Sequence, residues 1–467
     1  MKRPSILVAT LALAGGVATA TDLRTVYEQA QHADPTMRQA EALHLASREV
    51  RTQAILDMLP LNANVSKNWY GVASTTQSTP ALANLGMQVN LFSWNNWVAL
   101  KAASATVAQA EANYEASKED LIARVAQQYF AVLGAGDVLE AQETALKSAA
   151  RQLEQAERRF DVGLIAVTDV QIARASRDSS AAAVIAAKRA LASSIEQLRA
   201  ITGEKYARLA APGDAMPLLS PDPASEDAWV TTALSQNAAL TASKLAEDIA
   251  HDGYLGAIGG HLPQINASAS RSWDLDHNSN ATTGACATGS TLACTNTKDI
   301  VWSVGVTVPI FSAGATQSRV RQAHYTWKAS QAGYERSLRQ AEQQARDSYQ
   351  GVISQIAQVG ALKQAVESNR ISLQATEAGY EVGTKTAIDV LTARQLLVQA
   401  QSNYSQAKYG YLDNIVALRL AAGNLDRATI DQINGWLVEP PEASAPSTAP
   451  PPPRTTERRP RARARTR

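Results

Sequence analysis

Two stretches decide how this chain is read: "RFDVGLIAVTDV" from Arg159 to Val170, and "GYEVGTKTAIDV" from Gly379 to Val390. Both carry Val-Gly, five intervening residues and Asp-Val, and they lie 220 residues apart in a chain of 467. A turn repeated over that distance points to a duplicated structural unit rather than to unrelated domains.

The duplication extends well beyond the turns. At the same offset of 220, Tyr129 matches Tyr349, Phe160 matches Tyr380, Leu198-Arg199 matches Leu418-Arg419, and Gly203 matches Gly423. Upstream, Pro60 matches Pro263 at 203, whereas Phe92-Ser93 matches Phe311-Ser312 at 219. The second copy is therefore longer between its Pro and its Phe-Ser, as an exposed loop allows. That insertion, "TTGACATGSTLACTNT", holds Cys286 and Cys294, the only two cysteines. In an oxidising compartment these two are expected to pair, and without neighbouring His they offer no metal site. The repeats are expected over 21–223 and 224–438.

The segments after Phe92 and Phe311 are rich in Ala, Gln, Glu and Leu, and they lack Pro as far as the turns, which predicts two long helices, 94–160 and 313–380. Leu139, Leu146, Leu153 and Phe160 recur every seven residues, as do Val359, Val366, Leu373 and Tyr380, the spacing of coiled-coil packing. Shorter helices are expected over 22–58, 168–203 and 225–258. Stacked end to end, two short helices match one long one in length.

After each Pro the period changes to two. Leu61, Ala63 and Val65 alternate with Asn62, Asn64 and Ser66, and Ile265, Ala267 and Ala269 with Asn266, Ser268 and Ser270. Partner strands follow at Leu85, Met87, Val89 and Leu91, and at Trp302, Val304, Val306 and Val308, completing hairpins over about 61–92 and 264–311. A strand apolar on one side and uniformly Asn, Ser, Gln and Thr on the other fits either a soluble sheet with one wet face or a membrane barrel, and Trp69 and Trp273, placed as interfacial anchors, favour the barrel. Lys67 and Arg271 interrupt the apolar rows and must reach toward headgroups. Four strands cannot close a barrel in lipid, so the barrel has to be shared between chains.

The ends read differently. Lys2 and Arg3, the apolar run from Ile6 to Val17, and Ala18-Thr19-Ala20 form an export signal over residues 1–20. Residues 439–467 are Pro-rich, then Arg-rich, with seven Arg against three Glu, and are expected to be a solvated, unstructured tail. An export signal argues against nucleic acid as the partner of that basic tail. The six His, at 32, 44, 251, 261, 277 and 324, have no ligand spacing, and no phosphate-binding Gly loop or nucleophile motif is present. No catalytic residue and no cofactor is therefore expected. A periplasmic structural coiled coil has no use for membrane-length hairpins, and a diffusion porin has no use for so much helix.

With "LPLNANVSKNWYG", "LPQINASASRSW", "QQYFAVLGAGDVL", "FDVGLIAVTDV", "EQLRAITG" and "YEVGTKTAIDVL", the chain resembles the TolC family of outer-membrane export channels over about residues 22–438. The resemblance implies an α+β membrane protein whose homotrimer forms a 12-stranded outer-membrane β-barrel continued by a periplasmic α-helical barrel. It implies a passive exit duct for type I protein secretion, small-molecule efflux or both. A periplasmic adaptor (membrane fusion) protein and an inner-membrane pump of ABC, RND or MFS type would open and drive it.

By the same resemblance the paired turns are the periplasmic tips. Val162, Gly163, Leu164, Val382, Gly383 and Thr384 would dock the adaptor. Tyr380 and Lys385 would link to Asp169 and Thr168 of neighbouring helices and hold the entrance shut, and Asp389 would ring the constriction. From the residues alone, Asp169 and Asp389 simply suit the first turn of a helix. Lys385 stands where close relatives often carry Arg, which makes a single-point latch, and Thr392 stands where some carry a second acid.

Overall fold

In the computed structural model, residues 20–58, 61–66, 69–72, 75–78, 82–213, 216–274 and 300–438 are described. The export signal, the insertion with Cys286 and Cys294, and the Arg-rich tail lie outside them. In chain order the elements of the first copy are α1 (Leu23–Ala33), α2 (Pro35–Leu56), β1 (Leu61–Ser66), β2 (Trp69–Val72), β3 (Thr75–Ser78), β4 (Leu82–Phe92), α3 (Trp94–Asp161), α4 (Val167–Thr202) and β5 (Ala211–Pro212). The second copy has α5 (Glu226–Gln236), α6 (Ala238–Gly259), β6 (Gln264–Asp274), β7 (Ile300–Thr307), α7 (Ala315–Glu381), α8 (Ala387–Ala422), α9 (Arg427–Asn434) and β8 (Leu437–Val438).

The long helices stand where the composition puts them, at 68 residues for α3 and 67 for α7, which is roughly 100 Å each. Two helices expected to be continuous are broken instead. The first breaks at Asp34-Pro35, because Pro35 has no N–H to continue a helix and Asp34 caps the next one by accepting from the amides of Thr36 and Met37. The other breaks at Asn237, whose side chain accepts from the Leu240 amide. Asp34 and Asn237 are 203 residues apart, the offset of the two prolines, so the break is duplicated too.

Among the described residues the main sheet has the order β1-β4-β6-β7, with every pairing antiparallel, and β2 and β3 form a separate ribbon. β1 pairs with β4 and β6 with β7, which ends at Thr307, one residue short of Val308, and the pairing of β4 with β6 joins the two copies. Register carries the apolar rows straight across. Leu61 faces Met87, Met87 faces Ala269 and Ala269 faces Trp302, while Gln88, Ser268 and Ser303 form a polar row with a 2.6 Å hydrogen bond between the two serines. Arg271 stands in an apolar row opposite Leu85, with its guanidinium 5.2 Å from the Trp273 ring.

The core lies at the middle of the long helices. Tyr129 and Phe130 of α3 and Tyr411 and Leu412 of α8 are fully buried there with Leu23 and Val26 of α1 and Ile430 and Ile433 of α9. The Tyr129 hydroxyl reaches the carbonyls of Ala210 at 2.6 Å and Thr21 at 3.2 Å, and β5 pairs with β8 beside it. These short elements form a collar on one side of the helices. Toward the turns, α4, α3, α8 and α7 lie side by side in that order, with α4 and α7 at the margins. Toward the sheet, α2, α3, α6 and α7 do the same.

Candidate functional site

Each turn is built by a helix end that must reverse. In the first, the Gly163 amide donates to Phe160 O at 2.8 Å and the Leu164 amide to Arg159 O at 2.9 Å. In the second, Gly383 donates to Tyr380 O at 3.2 Å and Thr384 to Gly379 O at 2.8 Å. This paired bonding needs a left-handed residue, supplied by Gly163 at φ 75° and Gly383 at φ 80°. The reversal leaves apolar side chains in solvent at the apex, with Val162 at 69 %, Leu164 at 73 % and Val382 at 75 % exposure.

The returning helices start differently in the two copies. Ahead of α4, Ala166 has no side chain with which to cap, and Asp169 sits half-buried in the first turn. Ahead of α8, Thr386 and Asp389 form a reciprocal capping box: the Asp389 amide donates to Thr386 Oγ1 at 3.3 Å, and Asp389 Oδ2 accepts from the Thr386 amide at 2.8 Å. The backbone N–H of Thr386, followed by its hydroxyl and the nearby Lys385 ammonium, holds the Asp389 carboxyl below the usual carboxylate range, so it is ionised, and it is exposed.

Within one chain no hydrogen bond joins Tyr380 or Lys385 to Thr168 or Asp169, because α7 and α4 stand at opposite margins of the four-helix wall. The Tyr380 ring instead lies 5.2 Å from the Arg159 guanidinium of α3. Close above the turns, each copy has an Arg-Glu brace that the turn motifs do not announce. Arg174 of α4 donates to Glu157 of α3 at 3.1 Å, and Arg394 of α8 donates to Glu377 of α7 at 2.7 Å. Both residues of each pair recur at the offset of 220, which was the available signal. Only Arg394 makes a further bond, to Gln152 of α3 at 3.0 Å, and so ties the second helical hairpin to the first.

No group of His, Cys, Asp and Glu among the described residues could hold a metal, and no helix among them is long and apolar enough to cross a membrane. The family model described as "Outer membrane efflux protein" matches residues 26–204 and 229–424. The chain belongs to that family. Outer membrane efflux proteins similar to it include the outer membrane protein TolC of Vibrio cholerae, 32% identical over 439 residues that cover 93% of this chain and 98% of the relative. The alkaline protease secretion protein AprF of Pseudomonas aeruginosa is 27% identical over 423 residues, covering 87% of this chain and 85% of that one. The fold matches the crystal structure of the Vibrio cholerae outer membrane protein VceC with a TM-score of 0.71 at 21% identity, over 86% of this chain and 96% of that one. This outer membrane efflux protein is an exit duct of the outer membrane, with its helices as a periplasmic extension.

Proposed function

We propose that three copies close into one duct that passes both secreted proteins and small molecules, and that it opens when a periplasmic adaptor, linked to an inner-membrane pump, engages the tips. The observation that carries this reading is the open four-stranded sheet. Among the described residues β1 and β7 are both edges and are exposed along their whole length, and Leu85, Met87 and Leu91 of β4 are exposed between them. An unpaired edge is not tolerated in lipid, so β7 of one copy pairs with β1 of the next. Strand direction alternates across the sheet, so that junction is antiparallel like the rest, and three copies supply a barrel of twelve strands.

The same ring closes the wall of helices. The α7 margin of one copy meets the α4 margin of the next, which brings Tyr380 and Lys385 toward Thr168 and Asp169 and makes the latch a contact between chains. The three Asp389 carboxylates then converge on the entrance, where they attract cations. The exposed apolar apex, Val162, Leu164 and Val382 with Gly163, Gly383 and Thr384, is the surface offered to the adaptor. Secretion as one use of the duct is supported by the similarity to AprF, and pumping energy comes from the inner-membrane partner, since the chain has no nucleotide-binding loop.

Paired cysteines at Ala63 in β1 and Val304 in β7, oxidised in intact cells, test the assembly. A ladder of crosslinked products that ends at three chains is expected. A ladder ending at two or four, or no crosslink between chains, overturns the trimer.

A further inference from the structure

Half-way along the helices, on the side away from the collar, α3, α4 and α8 enclose a groove of about 410 Å³. Its side is fixed by helix periodicity. Tyr129 of α3 and Tyr411 of α8 both face the collar, Tyr129 through Ala210 and Thr21, and Tyr411 through a hydroxyl that accepts from the Leu219 amide at 2.7 Å. At 100° per residue, Gly134 and Val138 lie roughly opposite Tyr129 on α3, and Tyr409 and Asp413 roughly opposite Tyr411 on α8. A collar inside the tube would obstruct the duct, so in the duct reading the collar lies outside and the groove, on the opposite face of the wall, opens to the lumen.

The groove is mostly apolar, with Phe130, Gly134, Val138, Ala190 and Tyr409 among its lining and one carboxylate, Asp413. The Phe130 and Tyr409 rings are stacked with centroids 6.3 Å apart. Asp413 is half-buried, and its Oδ1 is out of solvent without a hydrogen-bond partner, whereas the other acids nearby are engaged. Asp137 of α3 accepts from Ser405 at 2.7 Å and Tyr409 at 3.1 Å and lies 3.6 Å from Lys408.

We infer that this groove is a lumenal binding site for amphipathic organic cations, with the Asp413 carboxylate taking the charge and the accessible wall of Ala131, Gly134, Ala135, Val138 and Ala190 taking the apolar body. A carboxylate at an apolar wall selects a cation over an anion of the same shape. The inference deepens the duct reading by naming a class of cargo, and it rests on that reading for the side on which the groove opens.

The protonation of Asp413 sets the pH dependence. Burial alone pushes its carboxyl up to about 7. No charged group opposes or assists it from the elements packed around it. The lining residues of α3 and α4 are not ionisable, and no residue of α7 lines the groove. On α4, Lys188 beside the groove pairs with Glu143 at 3.1 Å. On α8, Lys408 pairs with Asp137 and lies 4.8 Å from the Tyr409 ring, and burial followed by the Asp137 charge keeps Tyr409 in its neutral form. Cation binding therefore strengthens as pH rises through about 7.

Equilibrium dialysis of tetraphenylphosphonium against the full-length protein in lipid nanodiscs tests this, with tetraphenylborate as the anion of the same shape. The expected result is saturable phosphonium binding, at least about tenfold tighter at pH 8.5 than at pH 5.5, with no matching site for the borate. Asp413→Asn is expected to abolish it while leaving the far-UV spectrum and melting temperature in place. Ala190→Phe, which fills the groove from exposed α4 and keeps the carboxylate, is expected to weaken it at least about tenfold. Binding unchanged in both variants, or borate bound as tightly as phosphonium, overturns the site. Planar-bilayer recording on the same preparation separates the two readings: absence of any conductance refutes the duct, whereas conductance with phosphonium binding indifferent to Asp413→Asn refutes only the groove.

Discussion

The guanidinium of Arg394 bonds Glu377 at 2.7 Å and Gln152 at 3.0 Å at once, with only 13% of its side chain exposed, so one residue of α8 holds both α7 and α3. Its counterpart Arg174 is half exposed and holds only Glu157. Arg394→Ala leaves Glu377 and Gln152 unpaired in a partly dry site, and should lower hydrogen-exchange protection around the second turn by about 1–3 kcal/mol. Arg174→Ala, in water, should cost less than about 1 kcal/mol. Equal losses would place no special role on Arg394.

Asp389 has two separable jobs. Asp389→Ala removes both its charge and its capping box with Thr386, whereas Asp389→Asn removes the charge and retains an acceptor for the Thr386 amide. Both variants should lower cation-over-anion permeability in single-channel recording, but only the Ala variant should destabilise the start of α8, by about 0.5–2 kcal/mol. Since the carboxyl is held below its ordinary range, its charge is complete at neutral pH and is lost only as pH falls through that depressed value. A trivalent cation drawn to the three carboxylates should reduce the single-channel current, equally from pH 8 to pH 5 and less in stronger acid.

Buried Asp34 is bonded by the Arg124 guanidinium at 2.7 Å while it caps α2. Burial works against its charge, but Arg124 and the amides of Thr36 and Met37 outweigh it and lower the pKa. The stabilisation is therefore present above the ordinary carboxyl value of 3.8 and is lost as pH falls through the lower folded value. Asp34→Ala strands Arg124 and removes the cap, and should destabilise by about 3 kcal/mol. The loss should shrink in acid unfolding below pH 4, and a loss that does not shrink would show that the cap geometry, not the charge, matters.

Gly203 and Gly423 are equivalent in sequence and both have positive φ, yet their surroundings differ. A Cβ on Gly203 would meet only the Ala33 methyl at 3.8 Å, whereas one on Gly423 would lie 2.6 Å from the backbone of Asn237 at the α5–α6 break. Urea unfolding should show Gly203→Ala costing about 1 kcal/mol and Gly423→Ala about 2–4 kcal/mol, since backbone cannot move aside cheaply.

Much of this was legible in the chain itself. The offset of 220 located both turns, and their Val-Gly pairs predicted reversals that need a left-handed residue. The two-residue period that begins after the prolines separated strand from helix. The break at Asp34-Pro35 was also legible, as a cap followed by Pro, although a continuous helix was expected there; Asn237 gave a weaker signal, since Asn alone does not end a helix. The Arg-Glu braces were present at the same offset but carried no distinguishing pattern, because charged residues three to four apart or across a turn are common on any long helix.

What the sequence determined by itself is local: where helices begin and reverse, which strand faces are apolar, and that the whole unit occurs twice. These follow from periods of two, 3.6 and seven residues, which neighbouring positions encode directly. Only the tertiary structure decided that β4 joins β6, that α4 and α7 become the margins of the wall, that Arg394 spans three helices, and that Asp413 faces an apolar groove. Each of these depends on residues a hundred or more positions apart being brought to one place, and the chain has no local spacing that encodes such a meeting.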